Sequence, residues 1–169
     1  MSIVRINGVK TNCIALPSTP TPQSAELEIQ NPVSEQYIEF WNDDRFEITY
    51  NVYGAWSVQN LFTYDGHNMY SSPQITHNQK SEVYIKNITD KSILIKIPYK
   101  SETEGSSYDF GEIYIDNILI RTSIGGSTEG VTNSFNIPSN STLTISYRKD
   151  GSKSTGADNI GILIYEIKE

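Results

Sequence analysis

Residues 101–116 read SETEGSSYDFGEIYID, and residues 147–158 read YRKDGSKSTGAD. Each segment joins a polar loop to a run in which apolar residues recur at every second position. That spacing is typical of a strand with one face on a core, because successive side chains of a strand point to opposite faces of the sheet. The two segments therefore predict a β-sandwich that displays its loops, and they indicate no particular chemistry.

The same alternation continues along most of the chain. It is clearest in Ile93-Leu94-Ile95-Lys96-Ile97 and in Leu143-Thr144-Ile145-Ser146-Tyr147. No window of eleven or more residues has the apolar spacing of an amphipathic helix. We expect an all-β, antiparallel β-sandwich of jelly-roll type with little helix. The predicted strands lie at residues 37–41, 46–53, 82–86, 92–99, 111–121, 134–137, 142–147 and 160–167.

The first 22 residues have a different pattern from the remainder. Alternation around Asn7-Gly8 predicts a β-hairpin. The stretch Pro17-Ser-Thr-Pro-Thr-Pro22 predicts an extended joint, since three prolines fix φ and remove hydrogen-bond donors. We therefore predict a β-rich extension or anchor over residues 1–22 and a single sandwich domain over residues 23–169, which suits the chain length.

Composition narrows the classes of partner. The 169 residues carry a formal net charge of -7, with a pI near 4.8 and no run of Lys or Arg, so nucleic acid and anionic membranes are not expected to bind. A single cysteine, Cys13, excludes an internal disulfide. The chain begins without the pattern of a signal peptide and has no apolar run of about 20 residues. We expect synthesis in a cytosol.

Four carboxylates are the candidate metal ligands: Asp109, Asp116, Asp150 and Asp158. If any cofactor binds, calcium suits these oxygens. Asp109, Glu112 and Asp116 are expected along one strand. In loops rich in Ser and Gly, Asp side chains also accept hydrogen bonds from turn amides, and both interpretations stay open. His67 and His77, ten residues apart without a cysteine partner, do not indicate zinc.

Catalytic motifs are absent from the sequence. No Gly-x-Ser-x-Gly, phosphate loop, dinucleotide fingerprint or His-Glu-x-x-His occurs, so we predict that the protein is not an enzyme. A hydrolase using scattered acids such as Asp109 is the remote alternative. Trp56, Tyr64 and Tyr70 lie near turns and are candidate platforms for a sugar ring, although aromatic residues of β-proteins are more often core residues.

From Asp65 to Ile167 the chain resembles the jelly-roll β-sandwich modules, akin to MAM-like and galactose-binding-like domains, of bacterial surface and secreted proteins. The resemblance lies in the order of short motifs. These are residues 72–81, Tyr99-Lys-Ser-Glu-Thr-Glu, Tyr108-Asp-Phe, Tyr114-Ile-Asp-Asn117, Ile137-Pro-Ser-Asn-Ser-Thr-Leu, Tyr147-Arg-Lys-Asp and Gly156-Ala-Asp158. Where many relatives end in an acidic pair, this chain has Leu163-Ile164, which puts a metal role in doubt.

This resemblance implies adhesion, ligand binding or spacing, without catalysis. By analogy, a leaderless start joined to a display-type fold suggests a bacteriophage virion protein. The expected function is therefore a virion structural subunit, in a capsid decoration, fibre or tail, that docks on other virion proteins through its N-terminal extension and self-associates through exposed strand edges. The alternative is a free-standing carbohydrate-binding module or bacterial surface adhesin domain that binds a cell-surface glycan.

Overall fold

The computed structural model describes residues 4–6, 9–11, 33–103, 107–151 and 158–168. The chain divides into two compact units, Met1–Asn31 and Pro32–Glu169. In the first unit, β1 (Val4–Ile6) pairs antiparallel with β2 (Val9–Thr11), which confirms the predicted hairpin. Cys13 and the proline-rich joint, where we placed the domain boundary, lie outside the described residues.

Antiparallel strands are the main secondary structure among the described residues of the second unit. Among its described residues the helical content is one 3-10 turn, Phe40–Asn42. The all-β class predicted by the alternation is confirmed. The strands are β3 (Ser34–Ile38), β4 (Phe46–Tyr50), β5 (Ser57–Tyr64), β6 (His67–Ser71), β7 (Lys80–Asn87), β8 (Ile93–Lys96), β9 (Pro98–Glu102), β10 (Phe110–Ile115), β11 (Ile118–Ile124), β12 (Thr128–Val131), β13 (Phe135–Ile137), β14 (Thr142–Arg148), β15 (Asn159–Ile162) and β16 (Ile164–Lys168).

These strands form two layers around one apolar core. The first layer is a five-stranded sheet in the order β11-β10-β14-β7-β4. The second layer contains a five-stranded sheet, β12-β9-β15-β6-β5, and a four-stranded sheet, β13-β8-β16-β3. Burial of both inner faces supplies the main driving force for folding. The core includes Val83, Ile85, Leu143 and Ile145 from the first layer and Ile93, Ile95, Ile97, Ile160, Ile162 and Ile164 from the second.

Two neighbouring breaks divide the second layer into its two sheets. Ile97 separates β8 from β9, and Leu163 separates β15 from β16. Pro98 opens β9 and has no N–H to donate, so the ladder does not continue regularly through it. Its carbonyl accepts a hydrogen bond from the N–H of Leu163 at 3.0 Å. Side-chain alternation nevertheless runs through the break, because Ile95, Ile97 and Tyr99 all belong to the core.

Residues 111–121, predicted as a single strand, form most of a hairpin. Strands β10 and β11 are joined by Asp116 and Asn117, whose φ angles are 47° and 67°. Positive φ at both central residues is the signature of a tight hairpin turn, which Asp and Asn tolerate. Apolar residues on both sides concealed the turn. Glu112 lies on β10, whereas Asp109 immediately precedes this strand and Asp116 immediately follows it, so the three do not line one strand as expected.

Two further strand bounds differ from prediction. Strand β3 ends at Ile38, because the 3-10 turn Phe40–Asn42 follows and carries the ring of Phe40 into the core. Strand β4 ends at Tyr50 and not at residue 53, and Val52 just beyond it is exposed. Aromatic and β-branched residues thus continue past the ladder at both places.

The alternation did not predict β5 and β6. Asp65 and Gly66 join them with φ angles of 49° and 78°, and Asp-Gly is a strong hairpin signal. Their register shifts between Gln59 and Thr63, so β5 contains an irregularity that obscures its alternation.

A second, smaller apolar cluster lies on the outer face of the second layer. It contains Phe62, Met69, Leu163 and Tyr165. Gly161 makes room for it, because a Cβ at this position would lie 2.8 Å from Cδ2 of Phe62 and 3.1 Å from Cβ of Met69. Tyr64 packs against this cluster, and Tyr165 belongs to it.

Candidate functional site

Asp109 and Asp158, two of the candidate metal ligands, hold a buried lysine. Nζ of Lys149 lies 2.9 Å from Oδ2 of Asp109 and 3.2 Å from Oδ2 of Asp158. The exposed fraction is 1% for Lys149, 0% for Asp109 and 6% for Asp158. The backbone N–H of Asp150 donates to Oδ1 of Asp109 at 2.9 Å. These three side chains, named here the Lys149 triad, place one cation between two anions away from solvent.

The strands position the triad. Phe110 of β10 pairs with Arg148 of β14, so Asp109 and Lys149 face each other just beyond the ladder. Asp158 immediately precedes β15 of the second layer. Burial opposes the charge of the Lys149 ammonium, but its hydrogen bonds with Asp109 and Asp158 outweigh this cost and leave its pKa raised.

Tyr147 lies close to the same charges. Burial, followed by the negative charges of Asp109 and Asp158, raises the pKa of its phenol. Its hydroxyl is fully buried and has no hydrogen-bond partner among the described residues. Burying a hydroxyl without a hydrogen-bond partner destabilises the folded state, because the group loses its hydrogen bonds to water and gains none in return. A buried hydroxyl without a hydrogen-bond partner in the described part of the chain therefore lies close to the charges of the triad.

Asp116 has a different role. Its Oδ1 accepts a hydrogen bond from the N–H of Thr142 at 2.8 Å, and bonds to the Ser141 side chain and the Thr142 backbone lower the pKa of the carboxyl. This is the turn-amide interpretation. Among the described residues no group of three or more His, Cys, Asp or Glu side chains is arranged to hold a metal ion. Of the four carboxylates proposed for calcium, Asp109 and Asp158 meet around Lys149 and Asp116 lies at a separate turn, so in the described part of the chain the four do not form one site.

The aromatic candidates separate into core and surface. Trp56 is 2% exposed and its Nε1–H donates to Oγ of Ser81 at 3.0 Å. Tyr70 is 3% exposed, stacks on Trp41 with ring centroids 5.0 Å apart, and shares a hydrogen bond with Tyr50. Because both rings are enclosed, the structure corrects our choice of Trp56 and Tyr70 as ligand platforms.

Tyr64, the third aromatic candidate, lines a surface groove of about 620 Å³ on the outer face of the second layer. Its ring meets that of Tyr165 edge to face, with centroids 6.2 Å apart. The groove spans the break at Ile97 and Leu163, because its walls come from strands on both sides. The lining residues are Glu35, Thr63, Tyr64, Asp65, Lys96, Lys100, Glu129 and Tyr165.

Charges in this groove are paired. Lys96 forms an ion pair with Glu35, and Lys100 forms one with Glu129 at 2.9 Å. The hydroxyl of Tyr165 donates to Oδ2 of Asp65 at 3.2 Å. Burial, and then the bond to Asp65, raise the pKa of Tyr165 to about 12, so this hydroxyl stays protonated at neutral pH. The groove therefore presents alternating donors and acceptors around two phenol rings.

The histidines do not meet. His67 lies against the ring of Tyr37, with centroids 3.9 Å apart. His77 is exposed in the turn before β7. Among the described residues neither belongs to a metal-ligand group. In the same part of the chain, no helix is long and apolar enough to cross a membrane.

Sequence analysis missed the lysines at both sites, although signals existed. Lys149 continues the inward positions Leu143, Ile145 and Tyr147 at a period of two, which places it on the core side of β14. Lys96 and Lys100 occupy the outward positions of the run that contains Ile97. A charged residue in phase with buried ones was the sign that Lys149 needed a buried partner.

Comparison with known proteins supports the fold class and gives no evidence about function. No family model and no curated protein matches the chain. The solved structure of the secreted serine protease VesC from Vibrio cholerae matches with a TM-score of 0.52 and 16% identity, over 70% of this chain and 24% of VesC. The chain thus spans about a quarter of that protease. The resemblance to MAM-like and galactose-binding-like modules stays a prediction.

A second solved structure is the cleaved adhesin domain of Lys-gingipain from Porphyromonas gingivalis. The match covers 80% of this chain and 98% of that domain, with a TM-score of 0.47 and 10% identity. At that similarity it carries no argument about function. The two comparisons leave catalysis untested.

Proposed function

We propose that this protein is a non-catalytic, adhesion-type β-sandwich that binds a glycan in the groove beside Tyr64. The observation that carries the proposal is the groove itself: a concavity of about 620 Å³ with a half-buried tyrosine ring and paired charges along its walls. This volume lies in the range of small-molecule sites.

The chemistry of the walls suits sugar hydroxyls. Each hydroxyl both donates and accepts a hydrogen bond, so it is satisfied between an ammonium and a carboxylate. The pairs Lys96–Glu35 and Lys100–Glu129 supply that combination twice. The ring of Tyr64 adds an apolar surface against which the C–H face of a pyranose can pack.

Charge favours a neutral glycan. The lining has two lysines against three carboxylates, Glu35, Asp65 and Glu129. An anionic sugar would have to displace carboxylates from the lysines, and it would meet the negative field of a chain with net charge -7. We therefore expect hexose or N-acetylhexosamine oligosaccharides and not sialylated or sulfated ones.

A glycan array followed by calorimetry tests this proposal. We expect Tyr64→Ala to weaken binding of the selected neutral glycan at least tenfold, about 1.4 kcal/mol. Tyr53→Ala is the matched control, because Tyr53 is 42% exposed and does not line the groove. An array without neutral-glycan binding, or equal affinities of Tyr64→Ala and wild type, would contradict the glycan function.

The virion setting is a separate proposal, favoured by the division of the chain into Met1–Asn31 and Pro32–Glu169. A small unit that docks on a particle, followed by a larger one that projects, is the arrangement expected of a display subunit. Deletion of residues 1–31 should leave glycan binding intact and abolish copurification with virions of the phage that encodes it. Copurification of the truncated chain would refute the anchor.

Self-association stays a prediction. It is favoured by β11, an edge strand that exposes Ile118, Leu119 and Ile120.

A further inference from the structure

The Lys149 triad has the arrangement of a reaction site as well as that of an ion pair. The Lys149 nitrogen, which is a nucleophile once its ammonium loses a proton, lies at hydrogen-bond distance from a carboxylate that is fully buried. Oδ1 of the same carboxylate is held by the N–H of Asp150, and a second carboxylate, Asp158, lies 3.2 Å from the nitrogen. Nucleophile, electrophile, donor to the electrophile's oxygen and acid–base group are therefore present together.

We propose that Lys149 and Asp109 condense within the folded protein to form an amide bond between Nζ and Cγ, with Asp158 as the proton-transfer group. This inference is independent of the glycan proposal, because the triad and the groove share no residue.

Each atom of the reaction is accounted for. Asp158 accepts a proton from the Lys149 ammonium, which leaves a neutral amine, and the bound proton is passed to Asp109. The amine lone pair attacks Cγ of Asp109, forming the C–N bond, while the N–H of Asp150 stabilises the negative charge that develops on Oδ1. Nitrogen loses a second proton, the C–Oδ2 bond breaks, and that oxygen leaves as water. The sum is ammonium plus carboxylate giving amide plus water, with no oxidant or other reactant.

Proximity favours this outcome, because holding the reactants at contact distance replaces an encounter between separate molecules. The raised pKa of the Lys149 ammonium makes the neutral amine a minor species, so the reaction is slow. The water released passes to bulk solvent, and the low exposure of the three side chains disfavours its return for hydrolysis, so the amide persists once it forms. We expect the reaction to follow folding over hours to days.

The bond would join the ends of two neighbouring strands. Asp109 precedes β10 and Lys149 follows β14, forty residues apart in sequence. A covalent link between them closes a loop in the unfolded chain and so restricts its conformations, as a disulfide does. Unlike a disulfide, it survives reducing agents, which suits a chain with one cysteine.

Intact-mass spectrometry of the denatured full chain tests the proposal. We expect wild-type protein, after folding and incubation at 37 °C, to be lighter than its sequence mass by one water molecule. Trypsin should fail to cleave after Lys149, and a branched peptide should join the segments that contain Asp109 and Lys149. A wild-type sample that keeps its full mass through prolonged incubation would overturn the proposal.

Two other sources of water loss are distinguished by the same experiment. Cyclisation at Asp150-Gly151 or Asp65-Gly66 also removes water. These cyclic imides reopen in mild base, whereas the Lys149–Asp109 amide does not. A water loss that maps to either Asp-Gly pair, or that is reversed by base, counts against the proposal.

Variants test the role of each group. Lys149→Met and Asp158→Asn should both retain the full mass. Lys100→Met should still lose water, since it makes the same substitution in a partly exposed ion pair and leaves the triad unchanged. Circular dichroism establishes that each variant is folded before its mass is interpreted. Water loss in folded Asp158→Asn at the wild-type rate would refute the proton-transfer role of Asp158, whereas absent or much slower loss supports it.

Discussion

Replacement of Lys149 by methionine is expected to lower the free energy of unfolding by about 3–5 kcal/mol. Methionine fills similar space, but it leaves Asp109 and Asp158 facing each other, buried and without their cation. Like charges in a dry site repel strongly, so one carboxylate must take up a proton or the loops must open. If Lys149 is joined to Asp109, the variant also lacks that link. Urea denaturation of both proteins measures the difference.

Lys100→Met is the control for this substitution. The Lys100–Glu129 pair is partly exposed and screened by solvent, so its loss should cost less than about 1 kcal/mol. If Lys149→Met and Lys100→Met were equally stable, the buried triad would have no special role in folding. A second comparison follows from pH. Lys149→Met should regain part of the lost stability as the solution is acidified, because protonation removes the repulsion between Asp109 and Asp158 that Lys149 had offset.

Trp56→Ala is expected to destabilise the fold by about 3–5 kcal/mol, because it leaves a large cavity in the core and removes the partner of the Ser81 hydroxyl. Trp56→Phe should cost less, since most of the ring volume remains. Thermal and urea denaturation measure both effects. Tyr53→Ala, at an exposed position, should change stability by less than about 0.5 kcal/mol.

Glycan affinity gives this prediction a second readout. The protein that remains folded in Trp56→Phe should bind glycan as wild type does, because Trp56 does not line the groove. Loss of affinity in well-folded Trp56→Phe would restore Trp56 as a ligand platform. We thus expect substitution of Trp56 to change the free energy of unfolding and substitution of Tyr64 to change glycan affinity.

The sequence was sufficient to predict the fold class, because strict alternation in β7, β8, β10 and β14 leaves few other arrangements for these residues. It was insufficient for the hairpin at Asp116-Asn117, where apolar residues continue on both sides of the turn and local periodicity carries no sign of reversal. Strand β5 was missed because its register shift breaks the alternation on which the prediction depends.

The candidate sites were harder to predict for a physical reason. Asp109, Lys149 and Asp158 come from three strand ends in two layers, and their proximity depends on register and layer packing, which single-strand patterns do not contain. The same holds for Tyr64 and Tyr165, which are brought together by pairing across the second layer. Burial of Trp56 and Tyr70 likewise depends on which residues fold over them.

The interruption of the second layer at Ile97 and Leu163 links the interior of the sandwich to its outer surface. Groove residues Lys96 and Lys100 are carried by strand segments on opposite sides of Ile97, whose own side chain is fully enclosed. A change of side-chain size at Ile97 is therefore expected to move Lys96 relative to Lys100 without altering either lysine. If the groove binds a glycan as proposed, a buried aliphatic substitution at this position should change glycan preference while every residue that lines the groove stays the same.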